Sequence, residues 1–197
     1  MSTVARKREA RIERIHDAAA ALFAERGYHA TRMQDVADAV DMQKGSLYYY
    51  FASKEDLLVS LVEGRVGAAL DVLRAIVSDG NPVEQRVRSA IAGHLTVFQQ
   101  RADVYTIFNS EKLHSISEDT AVKVDELGRE YERLWADLLA EGVTSGVFRA
   151  DLDVAVTVKA VLGMCNMTLS WFRPAGRLTI EQVADRFSDL VLGGIEA

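Results

Sequence analysis

The stretch that decides the fold is MQKGSLYYYFASKEDL, residues 42–57, in which three consecutive tyrosines (48–50) follow Leu47 and precede Phe51. Residues four apart share one face of an α-helix. We therefore predict a short helix in which Leu47 and Phe51 pack inward. At about 100° per residue, Tyr49 then points almost directly away from that face. The other two tyrosines lie on its shoulders, where a ring can bury its body and project its hydroxyl.

The flanking segments continue a helical pattern. Upstream, apolar residues recur at helical spacing from Ile12 to Phe23, and Gly27 is placed to end that helix. Thr31 is predicted to cap a second helix, RMQDVADAV, and the residue after it, Asp41, to lie in a tight turn. Two helices joined by such a turn form a helix-turn-helix.

The rest of the chain also predicts helices and no strands. Ser53 is expected to cap a long fourth helix that ends near Ser78. Further helices are predicted at about 83–101, 103–114, 118–145, 153–172 and 179–193. With only two prolines in 197 residues, the predicted fold class is all-α: a three-helix N-terminal domain (1–54) and a helical C-terminal domain (55–197).

Charge is distributed unevenly. The net charge is −6, yet residues 1–60 carry nine basic and nine acidic side chains, so the excess negative charge lies in residues 61–197. The first fourteen residues are basic, which fits either a DNA-contacting arm or a solvated tail. One cysteine excludes an internal disulfide, and we expect no apolar run of the roughly 18 residues that a membrane span needs. A cytoplasmic protein without membrane association is therefore predicted.

The outer face of the tyrosine helix suits a phosphate backbone. Tyrosine hydroxyls are among the groups that contact DNA phosphates. Gly45 lets a strand approach the main chain closely, and Lys44 and Ser46 stand at the start of the helix. These residues predict a helix that lies in a DNA groove and contacts phosphates from both sides.

Residues 9–62 resemble the DNA-binding domain of the TetR family of bacterial repressors. The segments that carry the resemblance are IHDAAAALFAERGYHATRMQDVADAV and KGSLYYYFASKEDLL. The resemblance implies an all-α repressor that binds a palindromic operator as a homodimer, uses no cofactor and is not an enzyme. Position by position, it assigns DNA contact to Thr31, Lys44, Gly45, Ser46, Tyr48, Tyr49, Tyr50 and Lys54.

Two positions depart from that family's pattern. Asp41 stands where the family usually has glycine, and Asp tolerates the left-handed conformation better than most residues. Gln43 stands where Ser or Thr often precedes the recognition helix, which predicts a weaker cap.

A second block, WFRPAGRLTIEQVADRFSDLVLGGI (171–195), is similar to the end of TetR-family repressors that control fatty-acid and steroid breakdown. This resemblance implies an acyl-CoA effector. An uncharged hydrophobic drug or metabolite is the alternative, since the body of the protein is acidic.

Candidate ligand residues lie on the predicted C-terminal helices, and the ligand pocket is expected between those helices. Aromatic and methionine side chains at helical spacing form either a pocket or plain core, and two asparagines among apolar neighbours either orient a ligand carbonyl or cap a helix. The candidates are Phe98, Tyr105, Phe108, Asn109, Trp135, Met164 and Asn166. His94 is expected to be a hydrogen-bonded core residue and Cys165 a small buried hydrophobe, while Arg173 either caps the last turn of its helix or contacts a phosphate of CoA.

The last two predicted helices each carry an apolar face suited to a four-helix dimer interface. The candidate interface residues are Val158, Leu162, Trp171, Val183, Phe187 and Leu190. A small helical enzyme and an adaptor without DNA binding are the rival classes. We find no Gly-rich phosphate loop, nucleophile elbow or metal-ligand spacing in the sequence to favour an enzyme.

Overall fold

The computed structural model of the protein describes residues 3–100 and 118–197, which form eight α-helices joined by turns. They are α1 (Thr3–Arg26), α2 (Met33–Ala39), α3 (Lys44–Tyr50), α4 (Lys54–Val77), α5 (Val83–Gln100), α6 (Glu118–Thr144), α7 (Val154–Trp171) and α8 (Ile180–Ile195). The predicted all-α class is confirmed, and the predicted bounds agree to within two residues from α5 onward. The helix predicted at 103–114 lies outside the described residues.

The described residues divide into two compact units. The first contains residues 3–65 and 118–125, and the second contains residues 66–100 and 126–197. The division falls inside α4, between Arg65 and Val66. The domain boundary predicted after residue 54 stays a prediction.

The first helix of the first unit is longer than the segment Ile12–Phe23, whose apolar spacing predicted it. Helix α1 starts at Thr3, so the basic N-terminal residues are helical. It ends at Gly27, whose φ of 85° places it in the left-handed region, and the Gly27 amide donates to the Phe23 carbonyl (2.9 Å). Both features confirm the predicted C-cap.

One predicted cap is wrong. Helix α2 is capped at Arg32, whose amide donates to an Asp35 carboxylate oxygen (2.7 Å), and not at Thr31. The Thr31 hydroxyl turns back and donates to the Gly27 carbonyl (2.9 Å), so it joins α2 to the end of α1. The predicted cap of α4 is confirmed, because the Ser53 hydroxyl accepts from the Asp56 amide (3.0 Å).

The second unit is built around α5, which packs against both α7 and α8. Its core holds fully buried large side chains from α5, α6 and the α6–α7 connection, including Ile91, Trp135 and Phe148. Phe148 also pairs with Glu196 as an isolated antiparallel bridge, in which the Arg149 amide donates to the Ile195 carbonyl (2.9 Å). The end of α8 is thereby tied to the α6–α7 connection.

Helix α7 corrects one further expectation. By length and composition it is apolar enough to cross a membrane, although no such run was predicted. The core helix of a soluble protein meets the same criterion, and α7 contributes Val158, Val161 and Cys165 to the core of its unit.

Candidate nucleic-acid interface

Helix α3 has the two faces that its spacing predicts. Leu47 is fully buried and Phe51 nearly so, whereas Tyr49 is 81% exposed. Tyr48 is 43% exposed and Tyr50 is half-buried. The inner residues fix the helix in its unit and leave Tyr48 and Tyr49 exposed to solvent.

Cations and rings lie side by side on this surface. The Lys44 ammonium lies 5.9 Å from the Tyr48 ring centroid, and the Arg8 guanidinium carbon lies 5.9 Å from that of Tyr50. The rings of Tyr49 and Tyr50 meet edge to face at 5.6 Å. Such cation–ring contacts restrain long side chains near the surface that would meet an anion.

The start of α3 is open. Lys44, Gly45 and Ser46 are all exposed, and a methyl group added at Gly45 would meet no atom within 4 Å. A phosphate backbone can therefore approach this end of the helix without a steric barrier from the protein. Gln43 caps α3 through its backbone alone, as its departure from the Ser/Thr pattern predicts.

The turn before α3 depends on one left-handed residue. Asp41 has φ of 56°, which confirms the expectation that Asp replaces glycine here. The Met42 amide donates to the Ala37 carbonyl (2.9 Å) and closes the turn. This geometry sets the position of α3 relative to α2.

Thr31 and Lys54 are placed differently from the other predicted DNA contacts. Thr31 is 1% exposed, and its hydroxyl is used inside the unit. The Lys54 ammonium donates to the carbonyls of Tyr28 (2.8 Å) and Thr31 (2.9 Å) and lies over the Tyr28 ring. Partial burial lowers the pKa of Lys54. These contacts give both residues a positioning role at the α1–α2 connection, and their direct contact with DNA stays a prediction.

The sequence did not predict the role of His16, a buried polar residue behind α3. His16 is buried in α1, and its Nε2 lies 3.1 Å from the Ser60 hydroxyl on α4. Its ring also lies 5.6 Å from that of Phe51. Burial lowers the pKa of His16, with Glu13 opposing that effect. The helical spacing of His16 within the apolar face of α1 was the only available signal.

Arg65 joins the same pair of helices. It is 5% exposed and forms ion pairs with Asp17 and, at 3.8 Å, with Glu13. Its Nε has no hydrogen-bond partner among the described residues. Glu13 and Asp17 of α1 are thus ion-paired with α4.

The second unit holds three hydrogen-bonded polar side chains centred on the buried His94. The His94 Nδ1 lies 2.9 Å from the Tyr131 hydroxyl, and its Nε2 lies 3.0 Å from the Asn166 amide oxygen. Because an amide oxygen only accepts, the His94 Nε2 donates and its Nδ1 accepts from tyrosine. Burial lowers the pKa of His94 to about 4, against a smaller opposing effect of Asn166. The expectation that His94 is a hydrogen-bonded core residue is confirmed.

An apolar cleft of about 150 Å³ lies in the second unit. Its lining comes from α5, α7, the segment between α7 and α8, and the first residue of α8, and consists of Leu95, Gln99, Cys165, Thr168, Leu169, Phe172, Pro174 and Ile180. Cys165 is fully buried, as predicted, and burial raises the pKa of its thiol to about 12. Arg173 donates to the carbonyl of Phe172 (3.0 Å), the residue that follows α7, so its role as a cap on the last helical turn stays a prediction.

Of the predicted ligand residues, the described part of the chain contains the side chains of three, and these do not line the cleft. Trp135 is fully buried in the core, Met164 is half-buried, and Asn166 is bound to His94. Tyr105, Phe108, Asn109 and the side chain of Phe98 lie outside the described residues.

The exposed apolar residues of α7 and α8 differ in part from those predicted for a dimer interface. Val158, Leu162 and Val183 belong to the core of their own unit, so their predicted place in an interface needs correction. Trp171 is 49% and Leu190 68% exposed, and Trp171 meets the partly buried Phe187 edge to face. On α7 the exposed side continues through Val156 and Met167.

Both parts of the chain match known family models. Residues 15–61 match the model described as bacterial regulatory proteins, tetR family, and residues 80–195 match the tetracyclin repressor-like C-terminal domain. The chain is 33% identical over 196 residues to the HTH-type transcriptional repressor KstR2 of Mycobacterium tuberculosis, covering 99% of this chain and 98% of that one.

Solved structures agree with this relationship. The ketosteroid transcriptional regulator KstR2 of Mycobacterium tuberculosis superposes with a TM-score of 0.82 at 30% identity, covering 95% of each chain. AibR, solved in complex with isovaleryl coenzyme A and operator DNA, gives a TM-score of 0.79 at 27% identity and covers 91% of this chain and 97% of that one. The chain therefore belongs to the TetR family of bacterial transcriptional regulators, which are DNA-binding proteins and not enzymes.

Proposed function

We propose that this protein is a cytoplasmic repressor that binds a palindromic operator as a homodimer and leaves it when an acyl-CoA thioester binds. The observation that carries the proposal is the outer face of α3. Tyr48 and Tyr49 are exposed beside Lys44, while Leu47 and Phe51 hold the helix from within. An exposed aromatic and cationic face on a fixed helix suits a DNA groove.

The tyrosine hydroxyls of α3 contact phosphates in this proposal, together with Lys44, Gly45 and Ser46. Phosphate contacts position a protein without specifying sequence, so their loss weakens binding to all sequences about equally. A duplex selected by the wild-type protein from a random pool provides the operator for measurement. Tyr48→Phe should lower affinity for that duplex and for its point variants alike. A changed sequence preference at unchanged affinity would show that Tyr48 reads a base.

The homodimer forms through the exposed stripe of α7 and α8. Trp171 and Leu190 are large apolar side chains that a single subunit leaves in water. A self-complementary pairing about a two-fold axis would cover them and place two α3 helices about one DNA turn apart. Sedimentation should show a dimer at micromolar concentration that Leu190→Glu disrupts and Val4→Glu, on exposed α1, does not. A monomeric wild-type protein would contradict the assembly.

The effector class rests on similarity and on the cleft. Nearly the whole chain is similar to a ketosteroid regulator and to a regulator solved with isovaleryl coenzyme A. The apolar lining of the cleft, including Leu95, Leu169 and Phe172, suits an acyl chain. The net charge of −6 favours an uncharged hydrophobic effector as the second candidate. Mass spectrometry of the native protein would identify a ligand that co-purifies with it.

Coupling between the effector and DNA is assigned to α4. This helix contributes residues to both units and is continuous from Lys54 to Val77. A ligand shifts an equilibrium only by binding one arrangement better than another. The acyl-CoA must therefore favour an arrangement of α4 in which the half-site spacing is lost.

A further inference from the structure

Helix α1 separates its charges onto two sides. Lys7, Arg11 and Arg14 follow the i, i+4, i+7 spacing and lie within an arc of about 60°. Glu9, Glu13 and Asp17 occupy a second arc, whose centre lies about 130° around the helix from the first. The basic N-terminus is thus a ridge on a rigid helix.

The two sides have different partners. Glu13 and Asp17 face Arg65 of α4, with which they form ion pairs. Lys7 and Arg14 are exposed, Arg11 is half-buried, and none of the three forms an ion pair within residues 3–100 and 118–197. Two of the three carboxylates on the acidic side are therefore ion-paired to α4, whereas no cation of the basic side has an ion pair among the described residues.

The basic ridge adjoins the α3 surface. Arg8 on the same turns of α1 lies over the ring of Tyr50, at 5.9 Å from its centroid. The first turns of α1 and the end of α3 therefore belong to one continuous surface. From residue 7 to residue 14 the helix rises about 10 Å, the axial length of about three base steps on a DNA strand.

We infer that Lys7, Arg11 and Arg14 form an additional DNA-binding site, which contacts phosphates that flank the half-site held by α3. Charge complementarity and continuity with the α3 surface both favour DNA as the occupant. The site binds the backbone, so it adds affinity and salt dependence without adding sequence preference. This inference rests on the proposed operator binding.

The test compares two triple variants of equal charge on the duplex selected from a random pool. K7Q/R11Q/R14Q removes the ridge, and R133Q/R149Q/R177Q removes three exposed cations from the second unit. Fluorescence anisotropy across a salt series gives the slope of log affinity against log salt concentration. Each phosphate contact contributes about 0.9 to that slope, so a dimer should lose about 2 for each ridge residue that contacts DNA. The control triple should keep the wild-type slope to within about one such contact.

A second control lies on the same helix. Arg6 neighbours Lys7 but falls on the acidic arc, so Arg6→Gln should leave the slope unchanged while Lys7→Gln lowers it. Equal slopes for the two triple variants, or for the two single variants, would overturn the inference. Circular dichroism melts would show that each variant stays folded. Failure of the wild-type protein to select any duplex would instead remove the proposed function and the inference together.

Discussion

His94 should make the stability of the second unit depend on pH. Its folded pKa is about 4, because the ring is buried with Tyr131 and Asn166, whereas an unfolded chain restores the ordinary value of about 6.5. Between those two values the unfolded state binds more protons than the folded state. The free energy of unfolding therefore falls as pH drops from about 6.5 towards 4, and is unaffected by this group above that range.

The size of the effect follows from the two pKa values. Each unit of difference is worth 1.36 kcal/mol, so the His94 contribution is about 2 kcal/mol lost at pH 5 relative to pH 8, and about 3 kcal/mol lost below pH 4. The buried His16 has a lowered pKa as well and adds a loss of the same sign. Replacing His94 should therefore reduce the acid-dependent loss without abolishing it.

Urea denaturation at pH 8, 7, 6 and 5, at constant protein concentration, measures this difference. We expect His94→Gln to be less stable than wild type at pH 8 by about 1–3 kcal/mol, since Tyr131 or Asn166 loses a buried partner. Its loss from pH 8 to pH 5 should be about 2 kcal/mol smaller than that of wild type. His29→Gln, at an exposed site, is the matched control. A His94→Gln protein with the full wild-type acid loss would refute the reasoning.

Further substitutions test local features of the fold in each unit. Gly142→Ala should destabilise the protein by about 1–3 kcal/mol, because the new methyl would overlap the Phe148 ring. Gly128→Ala, on the same helix, places its methyl within 4 Å of no atom and should stabilise the protein by up to about 1 kcal/mol. Thermal melts of the two variants distinguish steric overlap from helix propensity. Lys54→Met should lower stability by about 1–3 kcal/mol, because the ammonium binds carbonyls of the α1–α2 connection; unchanged stability would contradict this positioning role. A reduced salt slope of DNA binding would in addition support the predicted phosphate contact, and an unchanged slope would contradict it. Asp41→Gly should stabilise the protein by a few tenths to about 1 kcal/mol, because glycine adopts the left-handed backbone conformation of this turn without strain. An Asp41→Val protein as stable as Asp41→Gly would contradict this explanation.

Local spacing was sufficient to predict the α3 surface. The burial of Leu47 and Phe51 and the exposure of Tyr49 follow from helix geometry over four residues, and the left-handed Asp41 follows from its place in the turn. The predicted cap of α2 was wrong by one residue. The Thr31 hydroxyl donates to a carbonyl at the end of α1, and the adjacent Arg32 caps α2 instead.

Contacts between distant residues could not be predicted. The Lys54 ammonium binds a carbonyl 26 positions earlier, and His94 pairs with residues 37 and 72 positions later. Helical and strand periodicities relate only residues that are near one another in the sequence, so they do not predict these contacts. The exposed side of α7 was not predicted because this helix is apolar almost all round, so periodicity does not distinguish the side that packs within the subunit from the side left exposed.

Effector-dependent release from DNA tests the proposed function most directly. A complex of the wild-type protein with its selected duplex is titrated with acyl-CoA thioesters of increasing chain length, with the matching free acids, and with coenzyme A alone, and anisotropy reports the bound fraction. We expect release by one class of thioester, with no release by the free acids or by coenzyme A. Release by free acids or unrelated apolar compounds, with no effect of any thioester, would contradict it.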